Sequence, residues 1–433
     1  MGTKLLVVSF DAMVTEDIPV FAEHPVFAEF FDGAAGVPSV RSIYPTVTYP
    51  AHTTIATGCW PDRHGVTANE PFLPGISPLP WNFYHDIVRC PDIFDLCKQN
   101  GLRCAAVGWP VTGNHPSIDL LVDEIWTIGR DWTRESMREV LIGSGTDPQL
   151  YEKIVRPLES LRVPRRQPAS SFFNAAAAAG ILSKYRPDVL FLHLGNPDNY
   201  RHKAGVFSPL IKECAADLAG VFFQLQCALR ENGDLEGCNI VLLSDHGQLD
   251  TKRSVYPNVA LRKKGYITAG RDGKLLDWKI WCHNTGMSMQ VYLKDPDDPA
   301  LRKEAEDVLN DLVRQEDSGF AALYTAEECA AKEHLGGGFS FVLETDGETF
   351  FGDRCTGAYM EPVPETPYGR IHGSHGHHPD KGPQPVFFAK GPAFRCGASL
   401  PHADLIDEAP TIAASLGLSM PGCDGRVLTE LLV

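Results

Sequence analysis

The stretch Lys4-Leu5-Leu6-Val7-Val8-Ser9-Phe10-Asp11 decides the fold, because an apolar run of strand length ends in a carboxylate. Such runs are typical of strands that are covered on both faces of a parallel sheet. Residues 189–194 lead in the same way through Gly-Asn-Pro to Asp198, and residues 239–244 lead to Asp245-His246-Gly247. Ligands of open α/β sheets bind beyond the carboxyl ends of the strands, where all three motifs fall. We therefore predict an α/β protein with a mostly parallel sheet and a polar site at one edge.

Helical patterns alternate with these strands. Residues 91–100 predict a helix that ends at Gly101, and a strand over 103–109 follows it. Residues 170–184, which include five consecutive alanines, predict the helix before the Asp198 strand. This βαβ alternation agrees with a parallel sheet.

The sheet pattern is interrupted between Asp250 and Arg370. We interpret residues 1–250 and 371–433 as the catalytic core and residues 251–370 as an inserted small α/β cap that selects the substrate. The elements predicted here are a strand over 287–293, a helix over 299–313, a hairpin over 339–345 with its turn at Asp346-Gly347, and a strand over 386–389 that returns to the core. The basic, proline-rich segment 162–168 is interpreted as a solvated linker, with nucleotide contact as the alternative.

Six side chains in or near the strand-end motifs are typical metal ligands: Asp11, Asp198, His202, Asp245, His246 and His375. Carboxylate oxygens and imidazole nitrogens suit zinc, so the set fits two tetrahedral ions with three protein ligands each. Manganese is the alternative metal. Taken singly, each residue has an ordinary explanation as a strand cap or a surface histidine, but the full set in these positions indicates a metal site.

Thr48 lies in the segment Tyr-Pro-Thr-Val-Thr-Tyr-Pro-Ala-His over residues 44–52, at a predicted helix start. Pro50 is tolerated in a first turn, and Gly58 is suited to a C-terminal cap. The positive end of that helix would face a phosphate. Thr46 is displaced by two residues from the helix entry, so Thr48 is the candidate nucleophile.

These motifs resemble those of the type I phosphodiesterase/nucleotide pyrophosphatase family of the alkaline phosphatase superfamily. The matching stretches keep the family's order over nearly the whole chain: residues 10–12, 45–52, 57–58, 61–66, 196–198 with His202, 244–247 and 373–376. The resemblance implies an alkaline-phosphatase-like sandwich of helices around a mostly parallel central sheet.

The resemblance also implies a role for each site residue. Asp198, His202 and His375 would hold one zinc ion. Asp11, Asp245 and His246 would hold the other, with Thr48 as its fourth ligand and as the nucleophile. Asn69 would contact a non-bridging phosphate oxygen. Tyr49 matches the position that stacks on a nucleobase, and core packing is an equally open reading of it.

The activity implied is hydrolysis of phosphodiester or pyrophosphate bonds in a small substrate such as a nucleotide, through a phospho-threonine intermediate. Coordination to zinc lowers the pKa of a hydroxyl and makes it a nucleophile. No arginine lies between Ser42 and Asp62 to bind the second charge of a monoester, which favours diesters. The alternatives are a phosphomonoesterase or phosphonate hydrolase on the same fold, and a non-catalytic metal-binding or ligand-binding homologue.

Charge and composition limit the partners. The net charge of −16 argues against a nucleic-acid polymer, although the four positive charges of two zinc ions would still attract a small phosphate ester. No apolar stretch reaches membrane-spanning length, and the amino terminus has no signal-peptide pattern. The 12 cysteines form no Cys-x-x-Cys pair. We therefore expect a reduced, cytoplasmic protein without a membrane partner, and the sequence leaves the oligomeric state open.

The remaining histidines have weaker interpretations. His193 is predicted to be a core residue or a neighbour of the metal ligands, and His52 either orients a ligand or packs in the core. Three histidines near His375 are interpreted as exposed loop residues, with an extension of the site as the alternative: His372, His377 and His378.

Overall fold

The structure is a computed structural model. It describes residues 2–125, 134–161, 167–363, 365–366 and 369–433. The strands of its two largest sheets are β1 (Leu5–Phe10), β2 (Ala35–Val37), β3 (Cys104–Val107), β4 (Leu120–Val122), β5 (Val189–Leu194), β6 (Asn239–Leu243), β7 (Ile280–Asn284), β8 (Ser288–Leu293), β9 (Phe320–Thr325), β10 (Phe341–Thr345) and β11 (Phe387–Lys390).

The longer helices lie between these strands and after the last of them. They are α1 (Pro25–Phe31), α2 (Thr48–Thr57), α3 (Ile93–Gln99), α4 (Arg134–Gly143), α5 (Ala169–Tyr185), α6 (Asp198–Ala204), α7 (Ile211–Glu231), α8 (Pro257–Lys263), α9 (Pro299–Val313), α10 (Ala326–Glu333) and α11 (Glu408–Ser415). The helices predicted over 91–100, 170–184 and 299–313 are confirmed, and the last of them has the predicted bounds. Among the helices that the structure describes, none has the length and apolar character that crossing a membrane requires.

The central sheet has the strand order β2-β11-β6-β1-β5-β3-β4. The four pairings from β6 to β4 are parallel, whereas β11 runs antiparallel to both β6 and β2. The predicted mostly parallel sheet is confirmed. Because β6, β1 and β5 are neighbours and parallel, the motifs that follow them meet at one edge of the sheet.

Both faces of the sheet are covered, as the uninterrupted apolar runs predict. Alternate residues of β1 belong to different cores: Leu6 and Val8 pack with α5 and α7, whereas Leu5 and Val7 pack with α2, α3 and α11. Every residue of β1 is buried. The result is a helix–sheet–helix sandwich, the alkaline-phosphatase-like architecture expected from the sequence.

The inserted region has its own four-stranded antiparallel sheet, in the order β7-β8-β10-β9, and its own apolar core with α9. The two ends of the insertion are adjacent, because strand Leu249–Asp250 pairs with strand Gly373–Ser374. That adjacency agrees with the proposed division at residues 250 and 371, which stays a prediction. Residues 162–166 of the predicted linker lie outside the described residues.

The hairpin predicted around Asp346-Gly347 is wrong, although strand β10 and the turn are present. Both edges of β10 are already paired, one with β8 and the other with β9. The strand after the turn, Thr349–Phe351, instead pairs in parallel with Arg253–Val255. A local turn signal carries no information about which strand edges are free.

Candidate active site

The motifs at the ends of β1, β5 and β6 converge as the topology requires. The Asp11 amide donates to Leu194 O at 3.0 Å, and the Asp198 amide donates to Asp11 O at 2.9 Å. Asp198 is the first residue of α6. The hydrogen bond from its amide to Asp11 O places it beside Asp11 at the edge of the sheet. Asp245 and His246 follow β6 after one residue, Ser244.

The first group of candidate ligands surrounds His246 Nε2. This nitrogen lies 3.2 Å from Asp245 Oδ2 and 3.6 Å from Asp11 Oδ1. The Thr48 hydroxyl lies 3.2 Å from the same nitrogen. All four side chains are buried, and the ligand atoms of the two aspartates and the histidine lie within 4.8 Å of one another.

The second group surrounds Asp198 Oδ1. His202 Nε2 lies 3.1 Å from this oxygen and His375 Nε2 lies 3.6 Å from it. The two groups adjoin, since the rings of His246 and His375 are stacked with their centroids 4.2 Å apart. The structure thus brings all six predicted ligands close together. The ligand atoms of Asp198, His246 and His375 also lie within 4.8 Å of one another, so His246 adjoins both groups and the division into two sets of three stays a prediction.

The three ligand histidines share one orientation. Each directs Nδ1 at a backbone carbonyl: His246 at Gly247 O (3.2 Å), His202 at Gly373 O (2.7 Å) and His375 at Thr46 O (3.1 Å). A carbonyl only accepts, so Nδ1 carries the proton and the lone pair of Nε2 faces the carboxylates. Burial lowers the pKa of His246 to about 3 and lowers the pKa of His375 strongly, which keeps both rings neutral. Metal-binding histidines in proteins are typically held in this way: one ring nitrogen donates to a backbone carbonyl, and the other keeps its lone pair for the metal.

The carboxylates carry unbalanced negative charge. Burial, together with Asp245 and Asp198, raises the pKa of Asp11 well above that of an ordinary aspartate, and burial raises the pKa of Asp245 to about 7. Asp11 Oδ1 and Asp245 Oδ2 are buried and accept no hydrogen bond from the residues that the structure describes. Burying unpaired carboxylates is costly, and divalent cations would remove that cost. The residues present therefore fit a divalent metal at this site.

Asp198 is held differently from Asp11 and Asp245. Burial acts against its ionisation, but the adjacent His202, whose Nε2 lies 3.1 Å from Oδ1, holds the pKa of Asp198 below the ordinary value of an aspartate. Gln248, which the sequence analysis missed, donates from Nε2 to the carboxylate and to the backbone oxygen of Asp198. Its position two residues after His246 was the available signal.

Glu408, the first residue of α11, is a further buried carboxyl whose pKa is raised by burial, Asp245 and Asp407.

The two candidate threonines have different surroundings. Thr48 is the first residue of α2, which ends at Gly58 with φ of 63°, as predicted for a glycine cap. The Thr46 hydroxyl donates to His377 O at 2.9 Å and accepts from the Gly376 amide at 3.0 Å. Thr46 therefore holds the segment around His375, and Thr48 is the threonine whose hydroxyl faces the ligands.

Asn69 lies beside the candidate nucleophile. Its side-chain oxygen accepts from the Tyr49 amide at 2.8 Å, which leaves the Nδ2 hydrogens as donors. Tyr49 itself is fully buried, and its ring packs edge-on against Trp81 with the centroids 5.0 Å apart. This burial favours the packing alternative over nucleobase stacking for Tyr49.

Two histidines contact the first ligand group from outside. His193 Nε2 lies 3.1 Å from Asp11 Oδ2, and its Nδ1 lies 3.0 Å from Gly108 O. His52 donates from Nδ1 to Thr48 O at 2.9 Å and lies 3.4 Å from Asp245 Oδ2. Both therefore orient residues of the site, one of the roles that the sequence allowed for each.

The interpretation of the three histidines near His375 as exposed loop residues is partly wrong. His372 is exposed as predicted, but His377 is only 1% exposed. His378 is half-buried and lies 3.1 Å from Glu333 of the inserted region. The inserted region packs on this segment at His378, whose amide also donates to Glu344 at 3.0 Å, a contact that the local sequence pattern does not reveal.

A separate His/Asp cluster lies at the start of α3, formed by His85, Asp92, Asp95 and His115. The Ser117 amide donates to His115 Nδ1 at 3.0 Å, so Nε2 carries the proton and donates to Asp92 at 2.8 Å. Asp92 also caps α3 by accepting from two amides of its first turn. The hydrogen bonds within this cluster identify it as a helix cap.

The sandwich fold and the two adjoining ligand groups at its sheet edge define a metal-binding protein of the alkaline-phosphatase-like class. The sequence model of one family, described as type I phosphodiesterase/nucleotide pyrophosphatase, matches residues 5–374. The chain therefore belongs to this family.

Individual relatives are distant. The human ectonucleotide pyrophosphatase/phosphodiesterase family member 1 is 24% identical over 241 residues, which is 54% of this chain and 22% of that protein. Venom phosphodiesterase 2 of Crotalus adamanteus is 24% identical over 220 residues, 48% of this chain and 22% of the relative. The matched region thus spans about a fifth of the length of these two relatives.

The murine ectonucleotide pyrophosphatase/phosphodiesterase 5 has the same fold. Its structure superimposes over the whole of both chains with a TM-score of 0.68 at 18% sequence identity. An inactive threonine-to-alanine variant of that mouse protein, in complex with AMP, superimposes with a TM-score of 0.67.

Proposed function

We propose that this protein is a two-zinc hydrolase that cleaves phosphodiester or pyrophosphate bonds of a small substrate through a phospho-threonine intermediate. One observation carries the proposal: the Thr48 hydroxyl lies 3.2 Å from His246 Nε2, at the first residue of a helix and beside two groups of metal-ligand side chains. Asp11, Asp245, His246 and Thr48 would hold one ion, and Asp198, His202 and His375 the other. Bound there, two divalent cations would supply positive charge to the hydroxyl and to the phosphate oxygens.

The protein's own residues would perform the remaining steps. Thr48 Oγ1 releases its proton to solvent and attacks phosphorus while the bond to the leaving oxygen breaks, and the leaving oxygen takes up a proton from solvent. Water then attacks the phosphoryl group, the bond between phosphorus and Thr48 Oγ1 breaks, and a proton from the water restores the hydroxyl. Two in-line displacements give net retention at phosphorus. His52 would hold the backbone of Thr48 in place during both steps through its hydrogen bond to Thr48 O.

Asn69 would bind a non-bridging phosphate oxygen through Nδ2. The hydrogen bond from the Tyr49 amide fixes the Asn69 oxygen and so determines the side on which Nδ2 lies. A donor preorganised in this way stabilises charge that develops in the transition state.

A nucleotide is the substrate class that we favour. The relatives carry nucleotide pyrophosphatase in their names, and the mouse variant binds AMP. A cavity of about 440 Å³ is lined in part by Ala68 and Glu70, the sequence neighbours of Asn69, and by Phe72, Arg89 and Tyr292. This volume is within the range of small-molecule sites. Tyr292 belongs to the inserted region, which supports the interpretation of that region as a substrate-selecting cap.

The test is a hydrolysis profile that compares a bis-aryl phosphate with an aryl monophosphate, with added zinc, with added manganese and with chelator. The proposal predicts zinc-dependent hydrolysis in which the diester is preferred. A preference for the monoester would instead support the phosphomonoesterase alternative. Absence of hydrolysis in a protein that holds two zinc ions would support a non-catalytic metal-binding protein.

A further inference from the structure

The segment that carries His375 lies between the core and the inserted region. We call residues 374–378 the His375 loop. On the core side, Thr46 O accepts from the Gly376 amide at 2.8 Å and from His375 Nδ1 at 3.1 Å. Thr46 is thus bound to both the backbone and the imidazole of this loop.

The inserted region contacts the other side of the His375 loop. The Met287 amide donates to His375 O at 2.8 Å, and the Ser288 hydroxyl donates to Gly376 O at 2.6 Å. Met287 and Ser288 stand at the start of β8. The backbone of this metal-ligand residue is therefore hydrogen-bonded directly to a strand of the cap.

Two glycines allow this contact. Gly286 has φ of +89°, and a Cβ there would lie 2.2 Å from His375 O. Gly376 has φ of +93°, and a Cβ there would lie 1.8 Å from Thr285 O. Real Cβ atoms do not approach backbone oxygens this closely, so a side chain at either position would push the loop and the cap apart.

A buried carboxylate adds a second attachment. Glu344 of β10 is fully buried and accepts from the His378 amide at 3.0 Å, from Lys381 Nζ at 2.7 Å and from the Tyr44 hydroxyl at 2.8 Å. Charge-assisted hydrogen bonds in a buried site hold their partners firmly. The end of the His375 loop is thereby tied to the cap sheet as well.

The first ligand group is attached differently. Asp11 directly follows β1 and Asp245 lies two residues after β6, and their neighbours Ala12, His193 and His52 belong to the core. The two groups should therefore respond differently to a change in the cap.

We propose that the inserted region is a positioning element for one metal site: β8 and its preceding turn set the position of His375, and thereby the affinity of the Asp198/His202/His375 site. The Asp11/Asp245/His246 site is linked to this contact only through the stacking of the His246 ring on His375, so we expect its affinity to change less. Metal ligands tolerate displacements of only a few tenths of an ångström, so a shift of the His375 backbone weakens one site selectively. This inference rests on the proposed two-metal function.

The test compares two glycine-to-alanine variants in the same region. Gly286→Ala adds a Cβ against His375 O. Gly265→Ala is the matched control, because Gly265 has nearly the same φ (+87°) but nothing within 4 Å of the added Cβ. Both variants carry the same backbone strain, and only Gly286→Ala displaces the loop. Zinc content is measured after dialysis against graded chelator.

The expected result is that the wild type and Gly265→Ala keep two zinc ions over the same chelator range, whereas Gly286→Ala loses one ion at a chelator concentration at least tenfold lower. In an Asp245→Asn background, which leaves only the His375-containing site, adding Gly286→Ala should release the remaining ion. Equal chelator profiles for Gly286→Ala and Gly265→Ala, or parallel loss of both ions from Gly286→Ala, would overturn the proposal.

Ser288→Ala serves if Gly286→Ala does not fold, because it removes the hydrogen bond to Gly376 O without adding bulk. It also removes the contact of the Ser288 hydroxyl with Thr285 Oγ1 at 2.8 Å, which lies within the inserted region. It should weaken the same single site by a smaller factor, and an unchanged chelator profile would count against the proposal. A wild type that binds fewer than two ions would contradict the proposed function itself. A wild type with two ions and an unaffected Gly286→Ala variant would contradict only the positioning role.

Discussion

Replacing Thr48 by alanine tests the proposed nucleophile most directly. The side chain is 6% exposed and its hydroxyl lies 3.2 Å from His246 Nε2, so the change removes one oxygen and one methyl group and leaves the other ligands in place. We expect kcat to fall by about 10⁴ or more, which corresponds to roughly 5.5 kcal/mol in the activation free energy. The expected loss of folding stability is much smaller, about 1 kcal/mol, as for other small buried truncations.

The assay measures kcat and KM with a bis-aryl phosphate, zinc content and the melting temperature on the same preparation. Thr48→Ala should keep two zinc ions, because Asp11, Asp245 and His246 still provide three ligands. Thr48→Ser should retain partial activity, since the hydroxyl survives and only the methyl that restricts its rotamer is lost.

Thr46 provides the comparison between the two threonines. Its hydroxyl bonds to His377 O and Gly376 N, so Thr46→Ala should weaken zinc retention while the fully metal-loaded protein remains active. The reasoning would be refuted if Thr48→Ala stayed within tenfold of the wild type with two zinc ions bound. It would equally be refuted if Thr46→Ala, with two zinc ions bound, were the inactive variant.

Three further predictions follow from the site. The dialysed protein should contain two zinc ions per chain, and Asp245→Asn should lose one ion together with turnover; metal analysis showing one ion or none in the folded wild type would contradict this. Diesters should be preferred over monoesters at least tenfold in kcat/KM, which needs only about 1.4 kcal/mol, and equal rates would contradict it. Burial raises the pKa of Glu408 in the folded protein. The unfolded chain loses the Glu408 proton at about pH 4.3, whereas the folded protein keeps it to a higher pH. Glu408 therefore makes the free energy of unfolding fall as the pH rises from about 4.3 toward the folded pKa. Glu408→Leu should therefore stabilise the protein at pH 8 by about 1–3 kcal/mol and by less at pH 5, and equal shifts in thermal unfolding at the two pH values would contradict the burial argument.

Local sequence determined the elements and the chemistry of the site. The apolar runs before Asp11, Asp198 and Asp245 predicted the strands, because a strand covered on both faces needs apolar residues at successive positions. Parallel neighbouring strands then bring their carboxyl ends together, so the convergence of Asp11, Asp198, Asp245 and His246 followed from motif position, whereas the role of His375 came from the family resemblance. The helix over 299–313 was predicted with its observed bounds, since Pro299 and the apolar spacing are local signals.

The tertiary structure decided what depends on contacts between distant residues. Tyr49 packs against Trp81, and His377 is only 1% exposed, although the local sequence around each residue would equally suit an exposed side chain. The turn at Asp346-Gly347 forms no hairpin, because both edges of β10 are occupied. Gly286 and Gly376 read in the sequence as ordinary loop glycines, and only the folded chain places each Cβ position against a backbone oxygen of the other segment. Residue types and their periodicity are properties of the chain, whereas burial, free strand edges and close approach are properties of pairs of segments that the sequence separates.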